Sequence, residues 1–295
     1  MSFDPSQWVE MLVAESSEAS ASINLPKAFV DSVYFDLKPM YASAVGGDVR
    51  INIPNVDVTN VTDIANGALV SSVPAISQSS VNVQITKKAS NPRAIPDFDE
   101  LKSNYRIAEQ LIAPMIEETL IFVNKDLASL ADGTNFTASA TITGGADTLT
   151  RLNVSAARAA LVKKGVDFSS GKVTLAVHPD VYSNMIGGTE FTLESNVGIR
   201  NAESATNLGV LMNIFGAKVR EDNDLPIVST GLYGCAMFHQ NAIAVRAVAR
   251  KPRADGNIVS VVIEPKPGLF MNVETWYDPN KQSNFIHVSC MYGKA

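Results

Sequence analysis

The chain has 295 residues, 46% of them hydrophobic and 18% charged, with a mean hydropathy of +0.07. That balance excludes a disordered chain. A net charge of -6 and a pI of about 5.2 argue against a protein composed to grip nucleic acid, which needs a basic face.

The N-terminus, MSFDPSQWVEMLVAESSEAS, is acidic and lacks the basic stretch of a secretory leader. No apolar run reaches the ~20 residues that span a bilayer, so no membrane role is expected. Residues 1–47 read as a leading segment. A short amphipathic helix is predicted around Trp8, Met11 and Leu12, and a second helix or extended arm from Pro26 to Tyr41.

Residues 48–90 change character. Val49, Ile51 and Ile53 alternate with polar neighbours, and so do Val81, Val83 and Ile85. A period of two predicts strands. The Ser/Asn/Gly/Pro-rich span from Asn60 to Ser80 reads as the broad tip of one long hairpin. Two strands alone are marginal in water, so the hairpin is expected to lie on something else, such as a second copy of the chain.

A long helix is predicted over 97–132. Asp97 and Glu100 have capping-box spacing. Leu101, Tyr105, Ala108, Leu111, Ile112, Met115, Ile116, Leu120, Val123, Leu127 and Leu130 form one stripe at spacings of three and four. Gly133 is placed to stop the helix. Such a rod is about 50 Å long, the width of a compact globule made from this chain. Pro114 removes a donor inside it and predicts a kink.

Residues 134–150 read as a loop. Beyond it lies a small α/β module, roughly 150–250. An Ala-rich helix is predicted from Asn153 to Lys164, a buried strand from Lys172 to Val177 and a helix from Pro179 to Ile186. Further strands are predicted at Phe215–Glu221 and Leu232–Phe238. The last part is β again: Ile258–Ile263, then two strands around Asp278-Pro279-Asn280. Because the sequence stops soon after Tyr292-Gly293, the final strand is expected to be short. Cys235 and Cys290 sit in strand-like apolar runs and read as buried, reduced thiols.

Chemistry is sparse. His178, His239 and His287 lack metal-ligand spacing and read as partly buried or interfacial imidazoles. No phosphate-binding glycine loop or nucleophile elbow occurs. Glu221-Asp222-Asn223-Asp224 is the densest acidic cluster. It reads as a solvated loop before Pro226, with a hard-cation site as the alternative. Arg246, Arg250, Lys251 and Arg253 form the densest basic cluster, either a plain exposed loop or a contact to phosphates or to an acidic surface on another copy. No active site emerges, and neither a cofactor nor a metal is expected.

The order of these parts resembles the tailed-phage major capsid proteins with the Hong Kong 97-type coat fold. The resemblance is carried by "NPRAIPDFDELKSNYRIAEQLIAPMIEETLIFVNKDLASLADG", "KVTLAVHPDVYSNMI", "GAKVREDNDLP", "CAMFHQNAIAVR" and "FIHVSCMYGKA". It implies an α+β fold with an N-terminal arm (1–47), an extended hairpin loop (48–92) and a peripheral domain (93–149) with a spine helix at 97–132. An axial domain (150–255) and returning peripheral strands (256–295) complete it. Leu175 to Pro179 resembles the strand-to-helix step of the axial domain, and Phe238 to Ala242 the step from its last strand into a short helix.

The resemblance also implies a non-enzymatic subunit of pentamers and hexamers that close an icosahedral shell around double-stranded DNA without reading its sequence. It places the protein in the virion, assembled in the bacterial cytoplasm. Implied partners are copies of itself, a portal, a separate scaffolding protein and decoration proteins. Asp57, Lys87, Lys88, Arg93, Asp222, Asp224, Arg246, Arg250, Lys251 and Arg253 are the candidate contacts between subunits. Some members cross-link a lysine on the extended loop to a neighbour's asparagine. Asp48 to Thr86 contains no lysine, and Lys87 and Lys88 lie at the base, so no such bond is expected. The rival readings are an encapsulin-type compartment shell and a metal-dependent hydrolase using Asp222, Asp224 and a histidine.

Overall fold

The computed structural model describes residues 27–35, 48–55, 77–96, 107–131, 149–192, 211, 213–229, 232–251, 254–255 and 258–295. The expected N-terminal helix, the hairpin tip, the start of the long helix and the 134–148 loop lie outside them.

In chain order, α1 (Ala28–Ser32) and β1 (Tyr34–Phe35) come first. Then β2 (Asp48–Asn55) and β3 (Ser77–Gln84) pair antiparallel as the expected hairpin, Asp48 opposite Gln84 and Asn55 opposite Ser77. Next come β4 (Lys87–Pro96) and α2 (Ile107–Ala128). α3 (Arg151–Lys163), β5 (Val173–Val177), α4 (Pro179–Gly187), α5 (Thr189–Thr192), β6 (Asn213–Ile214) and β7 (Ala217–Glu221) follow. β8 (Ile227–Ser229), β9 (Leu232–Tyr233), β10 (Ala236–His239), β11 (Ala244–Val248) and β12 (Ala254–Asp255) lead to the long strands β13 (Ile258–Lys266), β14 (Leu269–Asp278) and β15 (Ser283–Lys294).

Two main sheets organise these strands. The larger runs β1-β11-β15-β14-β13-β12, with β4 also pairing β15. The smaller runs β10-β5-β7-β6, with β5 and β7 parallel. The smaller sheet's last strand therefore ends at His239, and β11 and β12 belong to the larger one. The stretch predicted as one strand from Leu232 to Phe238 is divided between β9 and β10.

The final strand is not short. β15 spans 12 residues and pairs along its length with β4, β14 and β11. Chain position misled here, because a strand ends where its partners end and β11 reaches the terminal residues. β4 was not legible, since Pro92 and Pro96 argue against a strand. A proline is tolerated where its missing donor faces no partner, and among the described strands β4 pairs only with β15.

α2 buries the predicted stripe. Ile112, Met115, Leu120, Val123 and Leu127 are buried against the larger sheet, while Glu118, Phe122 and Lys125 face outward. At about 2 kcal/mol per fully buried large side chain, this face holds the helix far more firmly than propensity does. Pro114 lies inside the helix. α1 joins the same core through Phe29, which stacks on Phe238 of the smaller sheet at 5.0 Å. A second core gathers Val154 of α3, all-buried β5, and Val181, Tyr182 and Met185 of α4. α3 is capped by the Thr150 hydroxyl, which accepts from the Asn153 N–H, and closes at Gly165 in the left-handed region (φ 83°). Cys290 is buried and Cys235 partly so, and both thiols are free.

Candidate functional site

The described polar residues collect into joints between elements rather than into a cleft. The most buried joint lies at the start of α1. A helix N-terminus presents N–H groups without partners in the helix. Lys27, at the cap position, offers α1 no side-chain acceptor. The acceptors arrive from distant segments instead. The Ala28 N–H donates to Asp222 Oδ2 at 2.9 Å, and the Phe29 and Val30 N–H groups donate to Asn124 Oδ1, each at 3.2 Å. Asn124 Nδ2 donates in turn to both Asp222 oxygens and to Asp224 Oδ2. Asp222 Oδ1 also accepts from the Asp224 N–H at 2.9 Å. Lys27 pairs with Glu117 of α2, with both side chains largely buried.

This arrangement corrects the reading of Glu221 to Asp224 as a solvated loop. Asp222 has no exposed surface, and its oxygens are turned inward to hold α1 and α2. Burial pushes its carboxyl above the usual range, against the lowering effect of the Asn124 amide and the backbone donors. With those oxygens engaged, Asp222 is poorly placed either to act on a substrate or to meet another subunit.

A second joint centres on Asp126 of α2. Lys87 at the hairpin base, Lys294 at the end of β15 (3.0 Å) and the Tyr292 hydroxyl (3.0 Å) converge on its carboxylate. Burial works to raise this acid. The hydrogen bonds from Lys87, Lys294 and Tyr292, together with the Lys294 charge, outweigh that and hold it below 3.8. Two outer joints complete the frame. Glu118 accepts from Asn91 at 2.7 Å and from Arg93 at 3.0 Å, and Asp31 pairs with Arg220 and Lys266. The Arg93 pair is half exposed, so its contribution is below about 1 kcal/mol.

Two of the histidines are helix caps. His178 Nδ1 accepts from the Asp180 N–H at the start of α4, and His239 Nδ1 accepts from the Asn241 N–H where β10 enters a 3-10 turn (Gln240–Ala242). These are the two strand-to-helix steps singled out in the sequence. The third, His287, lies between Ser90 and Glu274 on three adjacent strands, with Nε2 2.8 Å from Ser90 Oγ and Nδ1 3.1 Å from Glu274 Oε2. Sequence spacing could not reveal this group, since Ser90 and His287 meet only through the β4–β15 register.

The candidate contact residues are thus dispersed. Lys87 and Arg93 are engaged within the subunit, Lys88 is exposed, and Arg250 and Lys251 are exposed after β11. Arg246 is buried in β11, only 5% exposed, so it does not share their surface. Asp57 and Arg253 lie outside the described residues. Among the described residues no group of three or more His, Cys, Asp or Glu is placed to hold a metal. No described helix is long and apolar enough to cross a membrane.

The two main sheets, the long helix packed on the larger of them and the separate hairpin make an α+β protein, and its likeness to solved structures gives it the Hong Kong 97-type fold. The fold recurs in known shells. A structure from Mycobacterium phage Che8 is similar over 91% of this chain and 86% of its own, with a TM-score of 0.60 at 18% identity. The capsid of Ralstonia phage GP4 is similar over 89% of this chain and 82% of its own, at 10% identity and a TM-score of 0.56. The mature capsid of bacteriophage PhiM1 is similar over 89% and 83%, at 11% identity and a TM-score of 0.54. No family model and no curated protein matches the sequence.

Proposed function

We propose that this chain is the wall subunit of a tailed-phage-type capsid. The observation that carries the reading is its similarity, across 91% of its length, to a phage structure. In this reading residues 1–47 are an arm, 48–92 the extended loop, 93–149 the spine-helix region, 150–255 the axial region and 256–295 the returning strands. Subunits join head to tail into pentamers and hexamers, and these close an icosahedral shell around double-stranded DNA. Wall-building is a structural role and needs no catalytic centre.

The hairpin supports the reading physically. Among the described strands, β2 and β3 pair only with each other. A ribbon of this kind gains a second surface from a neighbouring copy, and many modest contacts then sum through multivalency. Exposed Lys88, Arg250 and Lys251, with Asp57, Lys87, Arg93, Asp224 and Arg253, are the residues we assign to contacts between copies. The acidic balance leaves enclosed DNA mobile against the wall. A portal, a separate scaffolding protein and decoration proteins are the partners of such a shell, which assembles in the host cytoplasm and ends in the virion.

Negative-stain microscopy and light scattering of the purified protein test this reading. Closed shells of MDa mass, or pentameric and hexameric capsomers several times the 31.6 kDa of one chain, are expected, and a monodisperse monomer at high concentration would overturn it. Native particles are expected to hold DNA; a cargo enzyme in its place would mark an encapsulin-type compartment. Denaturing electrophoresis of particles is expected to give a single monomer band, because no lysine lies between Asp48 and Thr86.

A further inference from the structure

We propose that Ser90, His287 and Glu274 form an activated-serine site on the larger sheet, one that takes the acyl or phosphonyl group of a small ester with an aromatic or apolar substituent. The site stands apart from wall-building, since a single soluble subunit carries all three residues.

The geometry is that of a nucleophile, its base and a positioning acid. Ser90 Oγ lies 2.8 Å from His287 Nε2, and His287 Nδ1 lies 3.1 Å from Glu274 Oε2. A carboxylate only accepts, so the Nδ1 proton belongs to the Glu274 bond. That tautomer leaves Nε2 as the acceptor for the Ser90 hydroxyl, the arrangement that activates a serine. The depth order also fits. Ser90 is exposed, whereas the His287 and Glu274 side chains are only 11% and 17% exposed. An attacking group in solvent is therefore backed by a base and an acid that water barely reaches.

The register explains why the three meet. Glu274 faces His287 directly across β14 and β15, and Ser90 pairs with Ser289, two positions further along β15. All three side chains therefore share one face of the sheet, and the β4 residues that bond to α2, Asn91 and Arg93, belong to the opposite face. An aromatic platform adjoins the site. Trp276 meets His287 edge-on at 6.3 Å and stacks on Phe285 at 5.3 Å. It provides the contact for an aromatic or apolar substituent. Pro92 and Pro96 share Ser90's alternate position on β4, the set whose N–H groups face away from β15. The Ser90 N–H consequently points to the edge of β4 that no described strand covers, where it can donate to a developing oxyanion.

The step balances without a further reactant. Ser90 Oγ bonds to the carbonyl carbon and the bond to the ester's leaving oxygen breaks. The serine proton passes to His287 Nε2 and on to that leaving oxygen. Water then releases the acyl group as a carboxylate, with its proton returned through the same nitrogen.

The test treats the full-length protein with an aryl fluorophosphonate and maps the adduct by mass spectrometry. Labelling concentrated at Ser90 is expected, absent in Ser90→Ala and slowed about 100-fold in His287→Gln. Glu274→Gln is expected to slow it and Glu274→Asp to restore it, which a merely structural carboxylate would not do. Labelling of Ser90 no faster than of other serines, or unchanged by His287→Gln, would overturn the proposal. Because His287 is nearly buried, Ser90→Cys provides a check that leaves the His287–Glu274 hydrogen bond intact. Its thiol is expected to alkylate faster with iodoacetamide than free glutathione at the same pH, and an equal or slower rate would also overturn the proposal.

Discussion

Asp222 illustrates how single residues hold distant segments together. Its two oxygens accept from the Ala28 N–H, the Asn124 amide and the Asp224 N–H, so one buried carboxylate ties α1, α2 and the loop after β7. Replacing it by alanine leaves those donors buried without their acceptor, which costs more than the bonds themselves contribute. Asp222→Ala is expected to lose on the order of 3 kcal/mol in urea unfolding of the isolated subunit. Amide exchange at Ala28 should accelerate with it; a variant unchanged in both would show that the joint is not structural. Asp222 and Asp126 respond to acid with opposite sign. Asp222 titrates above its ordinary value, so the folded state takes up its proton first and acidification through that range favours the fold at this site. Asp126 titrates below 3.8, so its contribution is present above that value and is lost as pH falls through the folded-state pKa. Asp126→Asn is therefore expected to flatten the acid limb of stability, read as the urea midpoint between about pH 5 and about pH 2.5. An acid limb as steep as in the parent protein would mean that other carboxylates govern it.

Among the elements, β15 bears the most connections, and its last turns depend on one glycine. A Cβ at Gly293 would overlap the backbone carbonyl of Gln84, at the foot of the hairpin. Backbone cannot move aside as a flexible side chain can, so Gly293→Ala must displace either β15 or the hairpin base. A loss of at least about 2 kcal/mol is expected in thermal unfolding, with faster amide exchange in β3 than in the larger sheet; an alanine variant with the parent's melting temperature would refute the close approach. The elements legible in the sequence were those with local signatures. The stripe from Ile112 to Leu127, the Gly165 stop after α3, the largely apolar β5 and Pro179 at the first position of α4 each carry their own physics. β4 carries two prolines against its assignment, and only its partner β15 reveals it. The polar joints were unreadable for a related reason. Asn124 and Asp222, or Ser90 and His287, lie about 100 to 200 residues apart, and nothing local to either residue marks the other.

At the scale of the whole molecule, the larger core reaches the smaller sheet through Phe29 on Phe238 and through the Asp222 joint, and the hairpin adjoins β15. Its foot touches the body near Gly293, and Val83 at that foot is buried. Beyond the foot, the ladder from Asn82 to Ser77 pairs only with β2 among the described strands. Among the described residues neither core includes one from the outer hairpin, whereas in the proposed wall the hairpin is the part that reaches a neighbouring copy. A variant with residues 51–81 replaced by Asn-Gly closes the same ladder with a two-residue turn suited to a hairpin. Its thermal midpoint is expected within a few degrees of the parent's, because no described residue of either core is removed. Under conditions where the parent protein forms shells, the variant is expected to remain as subunits or small capsomers by light scattering and negative stain. Closed particles of parental size from the shortened chain would show that the hairpin is dispensable for tiling, and a collapse of the melting temperature would show that it belongs to the subunit's own core.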